Sequence, residues 1–114
     1  MRAHNEAMLY CFKSKAGADV VMLAESGDAL LRLMGRQPAP QGIFESAALP
    51  ALIQSLEAGV AADEAAFQQA VDAAKAAGEP EPRRQGVSLR QRAWPLRDLM
   101  ARAQRDGVDV LWGV

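Results

Sequence analysis

The sequence predicts an α+β fold in which a small sheet of two or three strands packs against about three helices. Three observations support this prediction: two β-rich runs near the N-terminus, segments in which apolar residues recur at helical spacing, and a β-rich run at the C-terminal end. The chain has 114 residues, of which 50% are hydrophobic and 24% charged, and a formal net charge of -1. We therefore expect a single α+β domain over residues 8–114.

The first two runs predict a β-hairpin. In residues 8–14 (MLYCFKS) the side chains alternate, so that Tyr10 and Phe12 share one face of a strand. A short turn containing glycine leads to a second β-rich run, residues 19–23, and the continuous apolar character of that run predicts burial on both of its faces. A helix over residues 16–33 is the competing interpretation, because short apolar runs fit both structures.

The next segment predicts a short buried helix followed by a stiff connector. Ser26 is a suitable N-cap for this helix, and Gly35 is a suitable stop signal. Two prolines in residues 37–42 prevent the helix from continuing. We expect Ile43 and Phe44 to tuck under the following helix as a hydrophobic lead-in.

From Ser46 onward, apolar residues recur at steps of three and four, which predicts a second helix. These residues are Leu49, Leu52, Ile53, Leu56 and Val60. The pattern weakens in an alanine-rich tract, whose outer turns are expected to fray or project. Glycines and prolines in residues 78–87 then predict an exposed and mobile linker.

A third helix and a third strand complete the predicted fold. Ser88 and Gln91 have the spacing of a capping box, which marks the start of the helix, and Gly107 marks its end. Pro95 falls inside this helix and is expected to kink it. Residues 108–112 are rich in β-formers and predict the last strand.

Charge is unevenly distributed along the chain. Residues 83–105 contain seven arginines and one acid, whereas residues 45–81 contain seven acids and one lysine. Neighbouring segments of opposite sign more often neutralise each other within one fold than recruit a partner. Nucleic-acid binding through the arginine-rich segment 83–105, with Trp94 stacked on a base, is the alternative.

The sequence predicts no catalytic residues, no cofactor and no metal site. The only histidine, His4, lies in residues 1–7, which we interpret as a disordered leader. The only cysteine, Cys11, excludes an internal disulfide and is expected to be a small buried hydrophobe. Common nucleotide-binding, hydrolase and calcium motifs do not occur. An enzyme or small-molecule binder, with a pocket lined by Tyr10, Cys11 and Trp112, is the least favoured class.

The leading prediction is therefore a non-enzymatic regulatory or protein-interaction module, with a homodimer as one variant. The candidate interaction residues are Trp94, Trp112, Arg90 and Arg97. Aromatic residues are favoured at interface hot spots. In a chain with only two tryptophans, three phenylalanines and one tyrosine, however, they are also the natural bulk of the core, and we favour the core for both tryptophans.

The sequence contains no apolar run long enough for a signal peptide or a membrane span, which predicts a cytoplasmic protein without a membrane partner. Five separated blocks of the sequence carry a family resemblance: Met8–Lys15, Asp19–Met22, Pro40–Gly42, Val87–Pro95 and Asp109–Trp112. In order and spacing they resemble the bacterial family called domain of unknown function 1840. The resemblance spans residues 8–112 and implies a small stand-alone cytoplasmic protein. It supplies no catalytic residue, and residues 1–7 lie outside the family pattern.

Overall fold

A four-stranded antiparallel sheet and three α-helices make up the part of the chain that the computed structural model describes, residues 9–113. The predicted leader, residues 1–7, lies outside this range. In chain order the elements are β1 (Leu9–Ser14), β2 (Gly17–Leu23), α1 (Ala24–Leu33), β3 (Gly42–Phe44), α2 (Leu49–Ala77), α3 (Leu89–Asp106) and β4 (Val110–Trp112). The strand order is β2-β1-β4-β3. The α+β class is confirmed, with one strand more than predicted.

The predicted hairpin is confirmed, and the competing helix over residues 16–33 is wrong in its first half. In the antiparallel register Leu9 pairs with Leu23. The prediction that the second run is buried on both faces is also wrong, because Val21 is 58% exposed and Leu23 63% exposed. The helices cover only one face of the sheet, so the apolar side chains on the other face of β2 remain at the surface.

Helix α1 starts earlier than predicted. Leu23, the last residue of β2, has extended backbone angles (φ -63°, ψ 152°) and occupies the N-cap position, so Ser26 lies inside the helix rather than capping it. The strand therefore passes directly into the helix. The predicted end is confirmed: Gly35 has φ +76°, and the amide of Arg36 donates to the carbonyl of Leu31 at 2.8 Å, as in a Schellman motif.

Residues 42–44 form strand β3 instead of a lead-in to the next helix. Ile43 pairs with Leu111 on β4, and Phe44 points into the core. A Cβ atom added to Gly42 would lie 2.3 Å from the ring of Trp112, so the strand approaches that ring as closely as only glycine permits. The prediction missed β3 because three residues carry little periodic signal and their partner strand lies more than sixty residues away in sequence.

The core contains a row of aromatic rings on the covered face of the sheet. Ring centroids are 5.6 Å apart for Tyr10 and Phe12, 6.0 Å for Phe12 and Phe44, and 4.8 Å for Phe44 and Trp112. These rings pack against buried leucines and methionines of the helices. The alternation predicted for β1 is confirmed, since Tyr10 and Phe12 are both buried.

The two long helices follow the sequence pattern closely. The five apolar residues predicted for the buried stripe of α2 are all buried, whereas residues 61–77 of this helix have no fully buried side chain. The capping box of α3 is confirmed: the Gln91 amide donates to Ser88 Oγ at 3.1 Å, and the Ser88 amide donates to Gln91 Oε1 at 3.0 Å. Residues 78–87 are exposed throughout, and their mobility stays a prediction. Within residues 9–113, no helix combines the length and apolar character needed to cross a bilayer.

Candidate interaction surface

Two of the predicted interaction residues, Arg90 and Arg97, bind carboxylates of α2. Arg90 makes a two-pronged contact with Glu64, with Nε donating to Oε2 at 2.8 Å and Nη2 to Oε1 at 2.9 Å. Arg97 Nε donates to Glu57 Oε2 at 2.8 Å. The two arginines are seven residues apart on α3, and the two glutamates are seven residues apart on α2. Two turns of α3 therefore lie against two turns of α2. The hydrogen bonds from Arg90 hold the pKa of Glu64 below its usual value.

Trp94 lies between these two arginines on the same stripe of α3. Its ring centroid is 4.3 Å from the guanidinium carbon of Arg90 and 5.7 Å from that of Arg97. In a cation–π contact of this kind, the positive guanidinium is attracted to the electron-rich face of the indole ring. Three of the predicted interaction residues therefore form one cluster that joins α3 to α2 and leaves Trp94 partly buried.

The linker continues the same pattern of opposite charges. Arg84 forms an ion pair with Asp63 of α2 at 3.1 Å, and its guanidinium lies 4.4 Å from the ring centroid of Phe67. The prediction that the acidic and basic segments neutralise each other is confirmed for these pairs. Their arginine charge is engaged inside the fold, which weakens the case for a phosphate-binding surface.

The fourth predicted interaction residue, Trp112, is part of the core. Its side chain is 3% exposed, and its indole Nε1 donates to the carbonyl oxygen of Ala39 at 3.0 Å. The ring is therefore part of the core, as the favoured interpretation predicted, and a role of Trp112 in an interaction stays a prediction.

The uncovered face of the sheet carries a large apolar surface that was not predicted from the sequence. Within residues 9–113, six large hydrophobic side chains are exposed, and five of them lie on this face; the sixth is Val87 in the linker. The five are Leu9 (55% exposed), Val21 (58%), Leu23 (63%), Ile43 (36%) and Leu111 (37%). The strand register places them on one side. We call this surface the open sheet face.

Polar and thiol groups lie among these apolar side chains. Cys11 is partly buried on the open sheet face, which corrects the prediction of a buried hydrophobe. Its Sγ donates to Asp19 Oδ2 at 3.6 Å. Partial burial, and next the negative charge of Asp19, raise the pKa of the Cys11 thiol, whereas the charge of Lys13 acts in the opposite direction.

Two clefts border the open sheet face. One, of about 580 Å³, lies between the turn of the hairpin and the start of β4 and is lined by Lys13, Lys15 and Asp109 among others. The other, of about 510 Å³, is lined by Tyr10, Cys11 and Trp112, the residues of the predicted small-molecule pocket. Within the described range, no three His, Cys, Asp or Glu residues are grouped so that they could hold a metal ion.

One signal in the sequence could have revealed the open sheet face. In β1 the alternation puts aromatic rings on one side but leaves Leu9 and Cys11, rather than polar residues, on the other. A strand with apolar residues on both sides needs a second covering layer. The three helices supply only one such layer.

One comparison with known proteins finds a match, which covers nearly the whole chain. A family model described as Domain of unknown function (DUF1840) matches residues 8–112. No curated protein and no solved structure matches the chain.

Proposed function

The chain belongs to the DUF1840 family, whose description states no activity, and we propose on the basis of its surface that it is a non-enzymatic protein-interaction module. The open sheet face is the contact surface in this proposal. Its five apolar side chains are between 36% and 63% exposed. They lie on one side of the sheet, and an exposed apolar patch of this kind on a monomer marks an interaction site.

The charges of this face favour a protein over a nucleic acid as its partner. The charges that act on Cys11, at the centre of β1, come from Asp19 and Lys13 and are of opposite sign. A nucleic-acid surface requires an array of unpaired cations. Flat apolar surfaces with few charges at their centre are instead typical of protein interfaces.

The location that fits this proposal is the cytoplasm. The single thiol, Cys11, is partly exposed and would persist unoxidised in a reducing compartment.

The proposal is tested by comparing three tagged baits in the same native lysate: the unaltered chain, Val21→Lys, and Val87→Lys. The first substitution places a charge on the open sheet face, on its edge strand β2. The second places the same charge on Val87 in the linker, which within residues 9–113 is the exposed large hydrophobic side chain that lies off this face. The two positions are similarly exposed, at 58% and 53%. Mass spectrometry then identifies the retained protein, including untagged copies of this chain.

We expect the unaltered chain and the Val87→Lys bait to retain the same protein, and the Val21→Lys bait to lose it. Nuclease treatment should change none of the three results. A retained set that is identical for all three baits, or one that disappears with nuclease, would contradict the proposal.

A further inference from the structure

We infer that the partner of the open sheet face is a second copy of this chain, with the hairpin of β1 and β2 packed on its counterpart across a two-fold axis. This inference rests on the proposed function and names its partner. Two observations carry it: the register of the hairpin and the placement of one positive and one negative side chain on its open side.

The register makes the hairpin face self-complementary. Leu9 on β1 pairs with Leu23 on β2, and in the next row Cys11 pairs with Val21. A two-fold axis that runs parallel to the strands, midway between β1 and β2, exchanges the two strands and keeps each row in place. Each apolar row of one copy then covers the same apolar row of the other.

The charged side chains of the hairpin lie toward its turn. Phe12 pairs with Val20, and the register shifts between Phe12 and Ser14, so Lys13 on β1 and Asp19 on β2 lie at the same end of the hairpin without pairing directly. Asp19 Oδ2 accepts a hydrogen bond from Cys11 Sγ, which places this carboxylate on the same side of the hairpin as Cys11. The axis that aligns the apolar rows brings Lys13 of each copy to the same end of the interface as Asp19 of the partner subunit. This arrangement favours two symmetric lysine–aspartate pairs, whereas a parallel axis directly over β1 would bring the two lysines together.

The geometry also sets the strength of the dimer. The overlap involves two strands rather than the whole sheet, so each copy buries less than the ~800 Å² of an interface of standard size. The dimer is therefore weak and reversible, and its population depends on the protein concentration. Ile43 and Leu111 belong to β3 and β4 and lie outside the overlap.

Sedimentation velocity over a series of protein concentrations tests the inference directly. We expect the unaltered chain to shift from monomer to dimer as its concentration rises. Val21→Lys should raise the dimer dissociation constant by more than about tenfold, because each dimer would bury two ammonium groups without partners. Val87→Lys, outside the face, and Ile43→Lys, on the face but outside the overlap, should leave the constant nearly unchanged.

Charge reversal tests the proposed axis. Lys13→Glu alone and Asp19→Lys alone should each weaken the dimer, because each variant places like charges opposite one another. The double variant should restore it. Circular dichroism melts of every variant show whether the monomer is still folded, so that a loss of self-association is not confused with a loss of structure.

Cys11 supplies an independent readout, because it is the only cysteine in the chain. The rate at which a thiol reagent modifies it should fall as the protein concentration rises, and in Val21→Lys this rate should be independent of concentration. A chain that stays monomeric up to near-millimolar concentration overturns the inference, and so does a dimer that Val21→Lys leaves intact. If such a monomer still retains another protein through Val21, the second-copy inference fails and the proposed function stands.

Discussion

The hydroxyl of Tyr10 on β1 donates a 2.5 Å hydrogen bond to the carboxylate of Asp28 on α1. This bond ties the first helix to the strand beneath it at the edge of the aromatic row. Burial, and next the hydrogen bond to Asp28, raise the pKa of Tyr10 to about 12 from its ordinary value of 10.0. The folded chain therefore holds the phenol in its neutral form at pH values where an unfolded chain would ionise it.

This raised pKa predicts a loss of stability in alkali. Below pH 10 both states carry the phenolic proton and the stabilisation is complete. Between about pH 10 and 12 the unfolded chain loses the proton first, so the free energy of unfolding falls as pH rises, by on the order of 2 kcal/mol. Tyr10→Phe should remove this component and cost about 1 kcal/mol at neutral pH.

Denaturant unfolding at a series of pH values, with the unaltered chain and Tyr10→Phe side by side, measures the effect. Tyr10 is the only tyrosine, so ultraviolet absorbance of the phenolate follows its ionisation without interference from other tyrosines. A midpoint near 10 in the folded chain would contradict the assignment, as would an equal loss of stability in both proteins across this pH range.

Gly27 on α1 is held against the same tyrosine, which predicts an unusual response to alanine. A Cβ atom at Gly27 would lie 2.1 Å from the Tyr10 ring. Replacing glycine by alanine inside a helix is ordinarily stabilising by up to about 1 kcal/mol. Here the overlap with a packed ring should reverse the sign and lower the free energy of unfolding by about 1–2 kcal/mol.

Gly59 on α2 is the matched control for this substitution. A Cβ atom there would meet the end of the Leu33 side chain at 2.8 Å, and a flexible leucine can move aside. We expect Gly59→Ala to change the free energy of unfolding by less than ~0.5 kcal/mol. Equal effects of the two substitutions in urea unfolding would show that the Tyr10 contact does not constrain α1.

Local sequence signals predicted the elements whose causes are local. The Ser88–Gln91 capping box and the stop at Gly35 each depend on residues a few positions apart, and both are confirmed. Strand β3 was missed because its partner is distant in sequence. The open sheet face was missed because an apolar run such as that around Val21 looks the same whether a second layer covers it or not.

The two tryptophans show the same limit at the candidate site. Trp94 and Trp112 have similar sequence settings, yet one lies partly buried between two arginines and the other is 3% exposed in the core. The sequence favoured the core for both tryptophans and also offered both as interaction candidates, so residue type did not distinguish them. The surroundings of Trp94 depend on how α2 packs against α3, and those of Trp112 depend on how β3 pairs with β4.

The contact between Arg97 and Glu57 predicts a small coupling between α3 and α2. Both side chains are about a third exposed, at 32% and 39%, so solvent weakens the ion pair. A double-mutant cycle with Arg97→Ala and Glu57→Ala should give a coupling of about 0.5–1 kcal/mol at low salt, and the value should shrink as salt is added. A parallel cycle with Glu79→Ala, in the exposed linker, should give no coupling with Arg97→Ala. If Arg97 coupled equally to Glu57 and to Glu79, the coupling would come from the overall charge of the protein rather than from this contact.

Cys11 reports the electrostatics of the open sheet face through its thiol. Asp19 raises the pKa of Cys11, whereas Lys13 lowers it. Asp19→Asn should therefore lower the thiol pKa and speed alkylation at mildly alkaline pH, because the thiolate is the reactive form. Lys13→Gln should raise the pKa and slow the reaction.

The measurement is the pH dependence of the alkylation rate at low protein concentration, where self-association is minimal. Opposite shifts from the two substitutions are expected because the two charges have opposite signs and both act on the same sulfur. Shifts in the same direction would mean that the substitutions alter the burial of Cys11 instead of its electrostatic surroundings. In that case Lys13 and Asp19 would not have the positions around Cys11 on which the two-fold arrangement of the hairpin depends.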